Sequence, residues 1–112
     1  MIVHNILAGI NHYSLKTAEQ TDTLLRRPSF ELKRIVSRGN TTPEGEWLDQ
    51  DGDEWVLVVS GRATLILVDD ETGTIQLNPG DYIRIPARCR HRVEWTDPQC
   101  ETVWLALHCD AE

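Results

Sequence analysis

Two residues in this chain have the type and the neighbours to do chemistry, Glu54 and His91. Strand alternation from Glu54 sets it in line with Val56, Val58 and Ser60, leaving Trp55, Leu57 and Val59 on the opposite face. His91 stands in the same relation to Val93 and Trp95, with Arg90, Arg92 and Glu94 facing away. A carboxylate aligned with apolar neighbours is costly to bury alone, and an imidazole or a metal ion is its usual partner. An imidazole beside a carboxylate is equipped for general acid–base work or for ligating a metal. The plainer alternatives are a Glu54 salt-bridged at a strand edge and a His91 hydrogen-bonded in a core.

Other residues add less. His108 alternates with Trp104 and Ala106 and can approach the same interior, whereas His4 and His12 stand in no motif. Cys89, between Arg88 and Arg90, has neighbours that lower a thiol pKa, but only His91 offers it a base. The run Asp49 to Glu54 is not a calcium loop: its glycine is misplaced, and Ser60 stands where a bidentate carboxylate belongs. Trp47 and Trp95 are packing residues that are also able to line an apolar ligand pocket. Arg84, Arg88, Arg90 and Arg92 bracket the His91 region, as a solvated face or as contacts for an anionic small molecule.

The elements that must position these residues are short and β-branched. Phe30–Ser37 reads as a first strand and Trp47–Gln50 as a short one ended by the turn signal Asp51-Gly52-Asp53. Trp55–Val59 and Ala63–Val68 are unbroken apolar runs one turn apart, too short for buried helices. Strands apolar on both faces are covered on both faces, by a second sheet or a second subunit. Thr74–Leu77, Tyr82–Pro86, His91–Trp95 and Thr102–His108 follow, separated by turns containing Asn78-Pro79-Gly80 and Asp97-Pro98. About eight strands at this spacing predict an all-β sandwich or barrel over 30–108. Residues 1–29 read as an N-terminal arm or short helix, the helix spanning Ala18–Arg27 and stopped by Pro28.

The 112 residues fit a single domain, able to bury roughly two-thirds of its unfolded surface without metal or disulfide support. Eighteen acidic against 11 basic residues give a net charge of −7, which argues against nucleic-acid or anionic-membrane partners. No apolar run approaches the ~20 residues of a membrane span. Met1–Ile10 lacks the charged and apolar regions of a signal peptide. Three cysteines without a CxxC pair fit a reducing compartment, so a cytoplasmic location is expected. The exposed edges of an open sheet make a homodimer the expected assembly.

Glu54, six residues, then Gly61, followed by Gly80, five residues, Pro86 and then His91, resembles the two motifs of the cupin family in register. The resemblance covers residues 44–95 and implies a jelly-roll β-barrel of six to eight strands with a metal-capable pocket at its centre. The family's first motif also carries an H-x-H pair before the glutamate. Here those frames hold Leu48 and Gln50, or Trp47 and Asp49, so the chain resembles small bacterial cupins that lack the pair. Arg88 replaces the second motif's glycine, and Trp95 its final asparagine. The ligand set this implies is Glu54 and His91, with Gln50 or Asp49 as oxygen donors. Such a set suits Mn, Fe(II) or Mg-like ions better than copper; the cofactor expected is a divalent ion, Mn, Fe, Ni or Zn, or none. Three functions follow as expectations: a metal site binding a small polar or anionic molecule, a metal-free binding module, and a metal-free acid–base isomerase or epimerase.

Overall fold

The computed structural model describes residues 1–10, 18–68 and 73–110. Eight strands follow one another: β1 (Gln20–Arg27), β2 (Phe30–Ser37), β3 (Asp53–Ser60), β4 (Ala63–Leu67), β5 (Thr74–Leu77), β6 (Tyr82–Ile85), β7 (His91–Thr96) and β8 (Thr102–Cys109). They form a five-stranded sheet, ordered β1-β2-β8-β3-β6, and a three-stranded sheet, ordered β5-β4-β7. Every ladder is antiparallel. The all-β architecture expected from the strand spacing, and the jelly-roll barrel implied by the family resemblance, are therefore present.

The inward faces follow the expected parity along β3 and β4. Glu54, Val56 and Val58 are buried, as are Ala63, Leu65 and Leu67 opposite them. With Leu77, Ile85, Trp104 and Ala106 they make the core between the sheets. Two glycines seat β3 against β8 at either end. A Cβ on Gly61 (φ +84°) would meet Thr102 Cα at 2.6 Å, and one on Gly52 would collide with the Cys109 carbonyl. That close approach fixes a register in which Glu54 lies opposite His108, and Val58 opposite Trp104.

Three expectations are corrected. Ala18–Arg27 forms no helix: Gln20–Arg27 is strand β1, paired with β2 through the Pro28-Ser29 turn. The hairpin partner a few residues away decides the conformation, and Pro28 is a turn residue rather than a helix stop. The barrel accordingly runs from Gln20 to Cys109. Trp47–Gln50 is not a strand but touches β7 at a single bridge, with Leu48 N–H donating to the His91 carbonyl (2.7 Å) and His91 N–H to the Leu48 carbonyl (3.0 Å). Finally, Trp95 does not share a face with His91 and Val93. The β4–β7 register passes from Leu65↔Val93 to Thr64↔Trp95, a bulge that turns Trp95 outward and brings buried Thr96 opposite Ala63.

The outer face of the five-stranded sheet is covered at one end, where Val36 and Val103 are buried and Arg34 donates to the Ile6 and Ala8 carbonyls, and is apolar and more open at the other. Leu32, Leu107 and Trp55 lie in one cross-strand row, and Leu105, Leu57 and Tyr82 in the next. All are half-buried except Tyr82, which is 67% exposed and rests on Trp55 with ring centroids 5.4 Å apart. Among the described residues no helix is long and apolar enough to cross a membrane.

Candidate functional site

The β3–β8 register delivers one carboxylate to two imidazoles. Glu54, 8% exposed, places Oε1 at 3.2 Å from Nε2 of His91 and Oε2 at 3.3 Å from Nε2 of His108. His91 comes from the start of β7 and is also buried; His108, near the end of β8, is partly open to solvent. Each imidazole is anchored by its other nitrogen. His91 Nδ1 lies 2.9 Å from the Cys89 carbonyl, and His108 Nδ1 lies 3.2 Å from Gln50 Oε1. Gln50 closes the group by donating from Nε2 to Glu54 Oε1 (3.4 Å). Its own main chain is pinned where the Arg88 N–H donates to the Gln50 carbonyl (2.7 Å).

The anchoring decides where the proton sits. A carbonyl accepts only, so His91 Nδ1 must carry its hydrogen and Nε2 faces the Glu54 carboxylate. A neutral imidazole would then set lone pair against carboxylate, so a proton is shared between Nε2 and Oε1. Burial alone would lower the His91 pKa. The hydrogen bond and charge of Glu54, the Cys89 carbonyl and the charge of Asp49 outweigh it, and His91 titrates above the ordinary imidazole range.

His91 and Glu54 open onto a cavity of about 110 Å³ between the sheets. Its walls are largely apolar, from Ile35, Leu48, Val56, Leu65, Ile85, Val93 and Trp104. Glu19, just before β1, reaches the same cavity. His108 and Gln50 instead line an open cleft of about 400 Å³ between the β1–β2 turn and the Asp51-Gly52 turn. Glu54 thus stands between a cavity among the strands and an outer cleft.

The other residues singled out from the sequence lie outside this group. Asp49 is exposed and reaches His91 through its charge alone. Trp47 is 40% exposed beneath the guanidinium groups of Arg90 (6.0 Å) and Arg92 (5.9 Å), and Trp95 faces away from the cavity. Arg84 bonds Asp53 (3.0 Å), and the exposed Arg88 contributes its backbone. Of the residues that sequence reasoning underweighted, His108 was signalled by its alternation with Trp104 and Ala106. Glu19 carried no signal, because it lies in a segment read as arm or helix.

A divalent ion fits this donor set incompletely. Two imidazoles and a carboxylate are the right chemistry for Mn, Fe or Zn, and the anchored Nδ1 atoms match the usual support of metal-bound histidine. The imidazoles, however, engage different oxygens of Glu54. Among the described residues no three histidine, cysteine, aspartate or glutamate side chains are grouped as a metal site.

The cupin domain model matches residues 38–108. This chain belongs to the cupin family. Over 99% of the chain and 100% of its own length, a protein from Ralstonia eutropha JMP134, proposed to be a mannose-6-phosphate isomerase, superposes with a TM-score of 0.90 at 42% identity. An acireductone dioxygenase from Exiguobacterium sibiricum is 34% identical over 84 residues, covering 66% of this cupin but 46% of its own length. The chain therefore spans about half of that relative. A cupin superfamily protein from Desulfitobacterium hafniense DCB-2 shares the fold (TM-score 0.70, over 87% of this chain and 82% of its own) at 16% identity.

Proposed function

We propose that this cupin is an isomerase-type acid–base enzyme, in which Glu54 and His91 move a proton on a small molecule held in the barrel cavity. The observation that carries the reading is the 3.2 Å contact between His91 Nε2 and Glu54 Oε1 beside a largely apolar cavity. A pair that already shares a proton can take one from a carbon beside a carbonyl and return it to the neighbouring carbon, so the reaction balances without an oxidant. The cavity, well below the ~300–1,000 Å³ of pockets for drug-sized ligands, favours a short hydroxycarbonyl compound. The isomerase proposed for the 42%-identical relative is consistent with this class of reaction.

The test is proton exchange in D₂O, followed by ¹H NMR with glyceraldehyde, dihydroxyacetone and mannose 6-phosphate. Glu54→Gln should slow exchange by roughly 10²–10⁴-fold. Absence of exchange with all three compounds, or an unchanged rate in Glu54→Gln, would overturn the reading.

The anchored Nδ1 atoms favour a second reading, a divalent ion held by Glu54, His91 and His108, with Gln50 beside them. Such an ion would polarise a carbonyl or bind oxygen. If activity vanishes on chelation and returns with Mn, Fe, Ni or Zn, this second reading replaces the first. In either case we place the protein as a homodimer, supported by the half-buried apolar rows on the outer face of its five-stranded sheet, and as a cytoplasmic enzyme, supported by three cysteines that form no CxxC motif.

A further inference from the structure

Glu19 is the cavity residue that the acid–base reading leaves without a task. Its Oε2 accepts a hydrogen bond from Ser37 Oγ (2.7 Å), and Ser37 Oγ accepts one from Trp104 Nε1 (3.1 Å). Ser37 is fully buried and Trp104 is 4% exposed, so an exposed carboxylate is moored to the core by a chain of two hydrogen bonds. The strand registers set its position relative to Glu54. Ser37 pairs with Thr102 at the start of β8, whereas Glu54 pairs with His108, six residues further along the same strand. Two carboxylates therefore enter one cavity from different ends of β8, with apolar wall between them.

The charge around the cavity is net negative, because His91 is paired with Glu54 and nothing offsets Glu19. Its lining contains Glu19 and Glu54 against the single imidazole of His91, and no lysine or arginine among the described residues. Of the arginines that bracket His91, Arg84 lies on Asp53, Arg90 over Trp47, and Arg92 over Trp47 and on Glu94, while the exposed Arg88 is not part of the cavity lining. An ionised carboxylate only accepts hydrogen bonds, so a group resting on Glu19 must donate. A like charge placed against it is costly in a site walled by apolar groups.

We propose that Glu19 is the specificity-determining residue of the cavity, selecting neutral or cationic ligands that bring a hydroxyl or amino donor and rejecting anionic ones. This rests on the cavity being the ligand site. It narrows the substrate to an uncharged or amino-bearing hydroxy compound, with phosphorylated sugars excluded from the interior. Ser37 acts as the positioning residue.

The experiment uses three probes of nearly equal size, ethanolamine, ethylene glycol and glycolate, titrated at pH 7.5 into the intact chain. The reporter is the Trp104 indole N–H resonance, assigned with Trp104→Phe. Ethanolamine and ethylene glycol should shift it at concentrations at least about tenfold below glycolate. Glu19→Gln should bring the ethanolamine-to-glycolate ratio close to one. Ser37→Ala, which keeps the charge but frees the side chain, should lower the ratio part-way. Equal binding of glycolate and ethanolamine to wild type, an unchanged ratio in Glu19→Gln, or no shift with any probe would each overturn the proposal. Deuterium exchange in Glu54→Gln reads the acid–base assignment separately. Selectivity without exchange would sink only that assignment, and exchange without selectivity only the role of Glu19.

Discussion

His91 carries the most information of any single residue, because its two ring nitrogens face opposite demands. The Cys89 carbonyl fixes a hydrogen on Nδ1, and Glu54 asks for another on Nε2. The folded-state pKa therefore stands above the unfolded value of ~6.5. A raised value means that the folded chain holds the proton more tightly than the unfolded one. The resulting stability is complete below about pH 6.5 and is lost as pH rises through the folded value. In metal-free protein, urea denaturation from pH 5.5 to 9 should show wild type losing stability relative to His91→Gln across that window. A difference that stays flat, or grows with pH, would mean that His91 is neutral in the fold and shares no proton. The pairing of Glu54 with His91 was legible from alternation and motif spacing, since both signals are local. Alternation only hinted at His108, which the β3–β8 register brings to Glu54, and nothing marked Glu19, which the bond from Ser37 holds at the cavity. The exclusion of Trp95 was not legible either, since one inserted residue in a strand reverses every later side chain.

The strands themselves depend on a few backbone positions. Gly61 combines a positive φ with contact against Thr102, so Gly61→Ala meets both strain and collision. We expect a loss of about 2 kcal/mol or more by denaturant titration. Glu54 should drift from His108 as the hairpin lifts, so acid–base function should fall further than the folded fraction. Arg88 presents the opposite case. It stands in the left-handed region (φ 64°) at the position where the cupin motif has glycine, and its N–H holds the Gln50 carbonyl. Arg88→Gly should be neutral or stabilising by up to ~1 kcal/mol, because relief of strain is partly offset by the greater freedom of the unfolded chain. A loss above that size would show that the exposed guanidinium makes a contribution its backbone does not explain. Strands β2 to β8 could be read from apolar runs and turn residues. Strand β1 could not, because Gln20–Arg27 lacks an inward apolar alternation and owes its conformation to pairing with β2.

At the scale of the molecule, the five-stranded sheet faces inward onto its partner sheet, while its outer face meets residues 6 and 8 at Arg34 and is more open across the rows of Leu107 and Leu105. The unbroken apolar runs of β3 and β4 imply two covers, and the three-stranded sheet supplies only the inner one for β3. Leu32, Trp55, Leu57, Leu105, Leu107 and Tyr82 form a continuous outer patch across β2, β8, β3 and β6. Exposed apolar patches of this kind mark interaction sites, and a two-fold axis lets one such patch cover its own copy. Light scattering at micromolar concentration should therefore give twice the 12.8 kDa chain mass. Replacing Leu57 and Leu105, which sit opposite one another in adjacent strands, with lysine should yield a folded monomer, since both point away from the interior core. The cavity lies on the other side of the sheet, so the monomer should keep the Trp104 response to ethanolamine. A monomeric wild type, or a double variant that stays dimeric, would place the interface elsewhere, the exposed β1 edge with Leu24 and Leu25 being the next surface to probe.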